Sequence, residues 1–504
     1  NIEERDNDSE PYVVNRIRYR QDVVGWLGDE LNKIKIYCLN HKDNTSVPNS
    51  GGDDTHPIFS NDGKNLAFIS DQGDSRDTHW REDIHVFNID SSERKRITTY
   101  FNGIGSITWS NDDSSLFIIG TSDSKEGDGR NSSLFKVDIN NASVSNLNTE
   151  EFAYNPQPNL KMVNDDFRVS YTDKGISKIV DINGKNKSIV YENNSKILQL
   201  CDSIDKTIFI ENNRNMQEVV KVLKKQNNEI QDILIPNSNF YEENPPSKMN
   251  KFTINRTGFD IESRVYYPSD FSENNIYPLI VDIHGGPHGR FEDQIAVNQE
   301  LFTKNGYIVI AVNPRGSSSY GSDFGKAVLN DWGGEDYHDI IESVNELAKE
   351  KYIDSNKIGL YGYSYGGFMS SWIIGHTNQF KAAVIGAPCI NLNSMSGTSD
   401  IGIKFGEEQW GGLRFDNVEK YQFNSPLTYA KKVSTPSIIL VGDRDYRCPI
   451  EQAEQYFVTL KRMGNDVQLV RYPGGNHGML SGSAPNLVID FWTRAVNFFD
   501  KNLK

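Results

Sequence analysis

The feature that most constrains the fold is a repeat with a period of 50 residues in the first half of the chain. Residues 34–40 are a strand-like segment, and similar segments recur at residues 84–90 and 134–140. A turn followed by an apolar strand at residues 59–69 returns in the same phase at residues 109–119. Repeats of about 40–50 residues that are built from short strands are typical of propeller blades with four strands each.

Weaker copies of the repeat at residues 179–183 and 219–223 bring the expected number of blades to about five. Clusters of Asn, Asp and Gly separate the strands, and these residues suit tight hairpins because they tolerate positive φ angles. A β-sandwich with accidental similarity is the alternative. The common spacing of two separate elements favours the propeller. Because the chain starts at Asn1, inside the first blade, we expect that earlier blades are missing from the sequence.

The second half of the chain has a different pattern, which starts after a turn-rich stretch at residues 242–247. Buried-type strands alternate there with helices, so we predict a doubly wound, mostly parallel sheet with helices on both faces. The predicted strands are residues 277–283, 307–313, 357–362, 381–387, 436–441 and 467–472, and the predicted helices are residues 335–350, 365–376, 450–463 and 486–503. We therefore predict an all-β propeller domain over residues 1–244, incomplete at its N-terminus, and an α/β-hydrolase domain over residues 245–504.

Composition and charge argue against several classes of partner. A net charge of −16 gives no electrostatic reason to expect nucleic acid or an anionic membrane surface. No apolar run approaches the roughly 18–20 residues that cross a bilayer. The four cysteines are scattered and form no Cys-x-x-Cys pair, so we expect no metal and no other cofactor. Free thiols at this density indicate a reducing, cytoplasmic location.

Ser364 is the centre of a Gly-x-Ser-x-Gly pentapeptide at residues 362–366. An apolar strand precedes this motif and a helical pattern follows it. In a nucleophile elbow, small residues allow the sharp turn from strand to helix that exposes the serine Oγ. A lone pentapeptide often arises by chance, but in this context it predicts that Ser364 is the nucleophile of a serine hydrolase.

The nucleophile needs a base and an acid, which follow it in the order Ser, Asp or Glu, His in this fold. His477 follows the last predicted strand, whereas we expect His376 to lie within the helix after the elbow, where it reaches Ser364 poorly. His477 is therefore the predicted general base. Asp443 and Asp445 both follow the preceding strand, and position alone leaves either of them as the acid that orients the imidazole.

The reaction also needs hydrogen-bond donors for the oxyanion. The strand at residues 279–283 runs into a His-Gly-Gly-Pro loop that starts at His284, and such a strand-end loop supplies one donor in this fold. The second donor is expected from the backbone N–H of Tyr365, the residue after the nucleophile. We expect His284 to be structural, because the loop acts through its backbone.

With a propeller-like half before these motifs, the chain resembles the prolyl oligopeptidase family of serine peptidases, and within it the acylaminoacyl-peptidase branch. The resemblance implies that the propeller limits access to short or unfolded peptides. The motifs that carry the resemblance are residues 284–287, 313–317, 320–321, 331–334, 362–367, 398–400, 425–427, 445–449 and 476–478.

The resemblance also implies roles for individual residues. The acid falls on Asp445, which lies in an Asp-x-Arg-x-Pro pattern, and Gly286 becomes the second oxyanion donor beside Tyr365. Arg447 matches the arginine that holds a substrate carbonyl, and an ordinary ion pair with a neighbouring acid is the alternative for it. Phe368, Phe405 and Trp410 are candidate walls of the substrate pocket, or equally core residues.

The sequence also departs from the family. The family usually has seven blades, about two more than the repeats of this chain account for. Dipeptidyl peptidases of the family bind a substrate amino terminus with propeller glutamates, whereas Glu242 and Glu243 lie at the domain junction and are expected to be structural. Unpaired propeller edges and the loop at residues 288–290 are candidate surfaces for a homo-oligomer.

The function predicted from the sequence is that of a serine peptidase, with an acylaminoacyl-peptidase or oligopeptidase activity on short peptides. A carboxylesterase with the same triad and a dipeptidyl aminopeptidase of the same family are the alternatives. A binding protein with a decayed hydrolase domain is disfavoured, because every catalytic position is filled.

Overall fold

The first half of the chain consists almost entirely of antiparallel strands in the part that the structure describes. A computed structural model describes residues 11, 13–71, 77, 81–122, 132–147, 153–154, 162–163, 166–183, 186–214 and 218–504. The strands of this half are β1 (Arg20–Gln21), β2 (Gly25–Trp26), β3 (Lys35–Cys38), β4 (Asp43–Ser46), β5 (Asp54–Phe59), β6 (Asn65–Asp71), β7 (Glu82–Asn88), β8 (Glu93–Arg96), β9 (Phe101–Trp109), β10 (Ser115–Ser122), β11 (Ser133–Asp138), β12 (Val144–Asn146), β13 (Ala153–Tyr154), β14 (Met162–Val163), β15 (Asp166–Asp173), β16 (Ile176–Asn183), β17 (Asn186–Asn193), β18 (Ser195–Asp202), β19 (Lys206–Asn213), β20 (Val219–Lys224) and β21 (Ile230–Leu234).

These strands form the blades that the repeat predicts. The pair β3–β4 is followed by an antiparallel sheet of β5–β12, in which β7 also pairs with β9, and by two further antiparallel sheets of β13–β17 and β18–β21. The five copies of the repeat fall on β3, β7, β11, β16 and β20, and each of these strands pairs with the last strand of its blade. The phase of the repeat is thereby confirmed.

The polar turns of two neighbouring repeats hydrogen-bond to each other. Asn61 donates from its backbone N–H and its side-chain amide to Oδ1 of Asp113, at 2.8 and 2.7 Å. The same amide also donates to the carbonyl oxygen of Ser110 at 2.8 Å. The polar residues of these two turns therefore fix the relative position of adjacent blades, in addition to forming their own tight turns.

The second half is an eight-stranded sheet surrounded by helices. Its strands are β22 (Lys248–Arg256), β23 (Phe259–Tyr267), β24 (Tyr277–Ile283), β25 (Ile308–Asn313), β26 (Ile353–Tyr363), β27 (Ala382–Gly386), β28 (Ser437–Gly442) and β29 (Val467–Tyr472). The α-helices are α1 (Ser238–Glu243), α2 (Val297–Lys304), α3 (Ser322–Lys326), α4 (Glu335–Leu347), α5 (Tyr365–Ile374), α6 (Leu392–Thr398), α7 (Lys404–Trp410), α8 (Val418–Phe423), α9 (Ile450–Arg462), α10 (Met479–Gly482) and α11 (Pro485–Leu503), and 3₁₀ turns lie at Arg414–Asp416 and Pro426–Lys432.

The strand order is β22-β23-β25-β24-β26-β27-β28-β29, and the six strands β24 to β29 are parallel to one another. These six parallel strands are the six that the sequence predicts. The antiparallel hairpin β22–β23 at the edge was missed. Its first strand buries no residue completely and so lacks a continuous apolar run.

Both faces of the sheet are buried, so its strands carry no polar alternation. On β24, Leu279 and Val281 face a core that includes α4, α5 and α9, whereas Ile280 between them faces α2 and α11. The two apolar layers hold the carboxyl ends of the parallel strands in fixed positions. Within the described ranges, no helix is both long and apolar enough to cross a membrane.

Several polar contacts join the propeller half to the hydrolase half. The helix α1 lies between them and exposes Glu242 and Glu243. The boundary between residues 244 and 245 stays a prediction. The contacts include Arg214–Glu300 at 3.0 Å, Lys196–Glu292 at 3.5 Å, and the backbone N–H of Lys174 to the carbonyl oxygen of Ser319 at 2.8 Å.

Asp282 is a buried carboxyl group in the middle of this sheet, with 2% of its surface exposed. Its Oδ2 accepts hydrogen bonds from the side-chain amides of Asn298 and Gln299 on α2, at 2.7 and 3.0 Å. Burial raises the pKa of Asp282 to about 7, although these two amides act in the opposite direction.

We expect the Asp282→Asn variant to gain thermal stability relative to the wild type at about pH 8 and to gain less at about pH 5. The pKa in the folded state lies above the value of about 3.9 in an unfolded chain. The contribution of Asp282 to stability is therefore complete below about pH 4 and is lost as the pH rises through about 7. Asparagine keeps an acceptor for the two amides and has no charge to desolvate. Tm values at both pH values provide the measurement.

Asp260→Asn on the exposed surface of β23 is the matched control, and its Tm should not depend on pH in this way. Burial also raises the pKa of Asp336 to about 7, but Asp336 is present in the wild type and in both variants. The Tm difference between Asp282→Asn and the wild type therefore reports Asp282 alone. An equal Tm difference between Asp282→Asn and the wild type at both pH values would contradict the prediction.

Candidate active site

Ser364 occupies a strained turn between β26 and α5, with φ 63° and ψ −121°. A non-glycine residue rarely adopts a positive φ, and such strain is often found at functional sites. The glycines of the motif are required by space. A Cβ atom on Gly362 would lie 2.1 Å from the carbonyl oxygen of Gly366, and one on Gly366 would lie 2.2 Å from that of Ile283. The chain can therefore make this turn only where these positions carry no side chain.

The three residues predicted as a triad lie in one hydrogen-bonded chain. The Oγ of Ser364 is 3.0 Å from Nε2 of His477, and Nδ1 of His477 is 2.8 Å from Oδ2 of Asp445. The other carboxylate oxygen of Asp445 accepts the backbone N–H groups of Arg447 and Cys448, at 3.0 and 2.8 Å. This arrangement can transfer a proton from the serine hydroxyl to the imidazole and orient the imidazole for that step.

The geometry distinguishes the two candidate acids. Asp443 lies at the surface of its loop and accepts the backbone N–H of Gly474 at 2.7 Å. Its carboxylate thus supports the turn before His477, whereas Asp445 contacts the imidazole itself. His376 lies just beyond the end of α5, where its Nδ1 is 2.7 Å from the carbonyl oxygen of Trp372.

The imidazole and its carboxylate are both buried, which affects their proton affinities. Burial raises the pKa of Asp445. Burial lowers the pKa of His477, and the hydrogen bond and the negative charge of Asp445 act in the opposite direction and raise it. The contact with Cys389 and burial raise the pKa of the Cys448 thiol well above its usual value. Since the thiol is then neutral at ordinary pH, Asp445 is the charge that favours the imidazolium.

Ser364 opens into a cavity of about 570 Å³ that both halves of the chain line. The hydrolase half contributes an apolar wall that includes Trp332, Met395 and Phe405. The other two aromatic candidates, Phe368 and Trp410, are buried and pack against Trp332 with ring centroids 5.0 and 5.7 Å apart. Of the three residues, only Phe405 is therefore a wall of the cavity.

Charged side chains line the part of the cavity that the first half of the chain contributes. They are Arg18, Asp71, Arg81 and Glu82. Glu82 also accepts the backbone N–H of Ile104 through Oε2 at 2.7 Å, so one of its carboxylate oxygens is already engaged.

Arg447 lines the cavity and also forms an ion pair. Its Nε and Nη2 donate to the two carboxylate oxygens of Asp400, at 2.8 and 3.2 Å. The ion pair that is the alternative interpretation of Arg447 is thus present, and a contact between Arg447 and a substrate stays a prediction.

The predicted oxyanion donors lie beside the elbow. Gly286 lines the cavity, and the preceding Gly285 is so close to the elbow that a Cβ atom there would lie 3.5 Å from Cβ of Ser364. Tyr365 is the first residue of α5, so its N–H has no acceptor within the helix. Its side-chain hydroxyl donates to the buried carboxylate of Asp336 at 2.5 Å, which fixes this residue. The role of both N–H groups stays a prediction.

His284 is held in place within the fold. Its Nδ1 lies 2.8 Å from the carbonyl oxygen of Gly285 and its Nε2 lies 2.9 Å from Oγ of Ser317. Burial lowers the pKa of His284 to about 4, so the ring is neutral at ordinary pH. These contacts match the structural role expected for it.

The loop at residues 288–290, a candidate assembly surface, makes contacts within the chain. The His288 ring contacts the carbonyl oxygen of Gly316 at 2.8 Å, and Arg290 forms an ion pair with Glu292 at 2.8 Å. Its side chains therefore connect parts of the same chain.

No sequence motif points to one residue near the site. Asp22, between β1 and β2, accepts the backbone N–H groups of both Tyr446 and His477. More than 400 residues separate the partners along the chain, and Asp22 belongs to no motif, so no local pattern could have found it.

One group of potential metal ligands occurs among the described residues, on the turn between β3 and β4. The ligand atoms of Cys38, His41 and Asp43 all lie within 4.8 Å of one another. His41 and Asp43 are exposed, and none of the three lines the cavity around Ser364. The expectation that the chain uses no metal stays a prediction.

Comparison with known proteins relates the chain to peptidases. The model of the prolyl oligopeptidase family matches residues 293–504. An uncharacterized peptidase of Bacillus subtilis is 43% identical over 237 residues, which are 47% of this chain and 36% of that protein. A probable dipeptidyl-peptidase 5 of Emericella nidulans is 27% identical over 465 residues, which are 88% of this chain and 58% of that protein. The chain thus spans less than two thirds of the length of these relatives.

A solved structure shows the same fold over nearly the whole chain. The acylaminoacyl peptidase of Pyrococcus horikoshii superimposes with a TM-score of 0.87 and covers 99% of this chain, which covers 78% of that one at 21% identity. The predicted combination of a propeller and an α/β-hydrolase domain is thereby confirmed.

We expect Gly366→Ala to lower the Tm, because its Cβ would lie 2.2 Å from a backbone oxygen that cannot rotate away. Overpacking of this kind costs about 1–3 kcal/mol of unfolding free energy. Thermal denaturation followed by circular dichroism measures the change. Gly397→Ala is the control, because Gly397 lies in α6 with open space around it and alanine favours a helix. If Gly366→Ala had the same Tm as the wild type, the elbow would be less tightly packed than these distances indicate.

Proposed function

We propose that the chain is a serine peptidase of the prolyl oligopeptidase family, whose model matches residues 293–504, and that it cleaves short peptides. The observation that carries the proposal is the hydrogen-bonded chain Ser364–His477–Asp445, which opens into a cavity lined by both domains.

The mechanism is acyl transfer. Ser364 Oγ attacks the scissile carbonyl carbon while Nε2 of His477 takes the hydroxyl proton, and Asp445 stabilises the resulting imidazolium. The backbone N–H groups of Gly286 and Tyr365 stabilise the negative oxygen of the tetrahedral intermediate. His477 then donates its proton to the leaving amine, and water hydrolyses the acyl-enzyme by the same sequence of steps.

The cavity favours a short peptide with an apolar residue at the cleavage point. Trp332, Met395 and Phe405 line one wall beside the nucleophile. Arg447 uses Nε and Nη2 for Asp400 in the contacts described, which leaves Nη1 for a substrate carbonyl oxygen. The first half of the chain also lines the cavity, and the propeller limits the size of the peptides that enter.

An acylaminoacyl-peptidase or oligopeptidase activity is the first choice, supported by the similarity to an acylaminoacyl peptidase over 99% of the chain. A dipeptidyl aminopeptidase is the second candidate. Asp71 and Glu82 line the propeller side of the cavity and offer carboxylates to a free amino group, and two relatives that match most of the chain are named dipeptidyl-peptidase 5.

We also propose a cytoplasmic location and self-association of the chain. All four cysteines are free, and Sγ of Cys389 lies 3.4 Å from Sγ of Cys448, which suits a reducing compartment.

The strand β21 exposes all of its residues and is a candidate edge for pairing with a second copy. Light scattering in solution tests the oligomeric state.

We expect Ser364→Ala to reduce kcat on an acetylated amino-acid amide by a factor on the order of 10⁶, because the nucleophile is lost. Labelling by a serine-directed phosphonate should disappear in the same variant. Mass spectrometry of the labelled protein and steady-state kinetics provide the two measurements. Near-normal turnover by the variant would refute Ser364 as the nucleophile.

The kcat/KM values of the wild type on three substrates distinguish the candidate functions. We expect the acetylated amino-acid amide to be better than a dipeptide amide with a free amino terminus. The reverse order would favour the dipeptidyl aminopeptidase. Turnover of a simple ester without turnover of either amide would favour a carboxylesterase.

We expect Asp445→Asn to lower kcat about 10⁴-fold and to move the acidic limb of the pH profile of kcat/KM to lower pH. Only the neutral imidazole can accept the serine proton, so the rate rises as the pH passes through the pKa of His477. The Asp445 carboxylate raises that pKa, and asparagine removes its charge. In Asp443→Asn, the matched control, the limb should keep its position, because Asp443 contacts Gly474. A limb at the same pH in Asp445→Asn and the wild type would contradict the assignment.

A further inference from the structure

We propose that Asp22 is a positioning residue that fixes His477 and Asp445 relative to each other from the N-terminal segment of the chain. This inference rests on the proposed function, because it concerns the triad of the same site. Asp22 is separated from these residues by more than 400 positions, and it acts through the loops that carry them.

One carboxylate connects the two loops. Asp22 lies in the turn between β1 and β2, and only 6% of its surface is exposed. Its Oδ1 accepts the backbone N–H of Tyr446 at 3.0 Å and that of His477 at 3.2 Å, and its Oδ2 lies 3.1 Å from the same His477 nitrogen. Tyr446 directly follows Asp445, so Asp22 links the backbone next to the acid to the backbone of the base.

The turn that carries Asp22 is itself attached to the hydrolase domain. The backbone N–H of Asp22 donates to Oδ2 of Asp400 at 2.8 Å, and the other oxygen of Asp400 accepts Nε of Arg447. The guanidinium of Arg20 lies 5.1 Å from the ring centre of Tyr446 and hydrogen-bonds to the carbonyl oxygen of Thr398. The position of the carboxylate is therefore fixed from both sides.

The role follows from what the two loops must do. They extend from the ends of β28 and β29, and the contact between Nδ1 of His477 and Oδ2 of Asp445 at 2.8 Å depends on their separation. Without Asp22, two backbone N–H groups lose their buried acceptor, which costs free energy and allows the loops to separate. A misplacement of about 1 Å can reduce a rate about 100-fold.

Asp22 differs from the residues that would contact a substrate. Its neighbour Gln21 lines the cavity, whereas the carboxylate of Asp22 is directed at the backbone of the two loops. A defect at Asp22 should therefore change kcat and leave KM nearly unchanged.

The test compares Asp22→Ala, Asp22→Asn and the control Val23→Ala in the full chain. Val23 lies in the same turn and is 71% exposed. We expect Asp22→Ala to lower kcat by about 10–100-fold with a KM within about threefold of the wild type. Asp22→Asn keeps a carbonyl oxygen that accepts both N–H groups and should restore most of the lost kcat. Val23→Ala should behave as the wild type does.

A second measurement does not depend on turnover. The proton between Nδ1 of His477 and Asp445 should give a downfield proton NMR resonance that is absent in His477→Ala. We expect this resonance to broaden or disappear in Asp22→Ala and to persist in Asp22→Asn and Val23→Ala. Persistence of the resonance in Asp22→Ala would overturn the proposal, and so would a kcat within about twofold of the wild type.

The two measurements separate this proposal from the proposed function. If the wild type cleaved none of the peptides or esters, the peptidase assignment would fail, and the resonance would still decide whether Asp22 positions the pair. A lower Tm in Asp22→Ala with an unchanged resonance would show a purely structural residue, which also overturns the proposal.

Discussion

The architecture of the site depends on the close approach of three backbone segments at the nucleophile elbow. The turn at Ser364 packs its flanking glycines directly on the ends of two neighbouring strands. A Cβ atom on Gly366 would lie 2.2 Å from the carbonyl oxygen of Ile283, and one on Gly367 would lie 2.5 Å from that of Gly386. Since these contacts are between backbone atoms, they fix the backbone of Ser364 and the direction of its Cα–Cβ bond without the aid of any side chain. Loops from the other strand ends can then be placed around a fixed nucleophile.

Features that depend on local chemistry could be predicted from the sequence. The elbow, the histidine after β29 and the blade turns are each defined by residue types within a few positions, because strained turns and tight hairpins accept few residues. The six buried parallel strands could also be predicted locally, because each of them is a short apolar run. The edge hairpin β22–β23 was missed, because its first strand is half exposed and its turn at Thr257 and Gly258 is not one of the common hairpin pairs.

Contacts between distant parts of the chain could not be predicted in this way. The choice between Asp443 and Asp445 needed a resemblance to a family, because both carboxylates follow the same strand and only their directions differ. The ion pair between Arg447 and Asp400 connects the acid loop to the end of α6, and sequence position alone could not exclude it or establish it. The contacts of Asp22 extend across almost the whole chain and follow no repeating pattern.

The contacts between distant parts of the chain meet in one network of charged residues around the triad. The carboxylates of Asp22, Asp400 and Asp445 lie in one network of hydrogen bonds that also includes the guanidinium of Arg447 and the imidazole of His477. The negative charge of Asp445 favours the imidazolium that forms when the serine gives up its proton, at a place where burial alone would disfavour it. One of these carboxylates comes from the N-terminal segment, so the positions of the acid and the base depend on the docking of that segment on the hydrolase domain. Stabilisation of the transition state and the association of the two halves are therefore properties of one network.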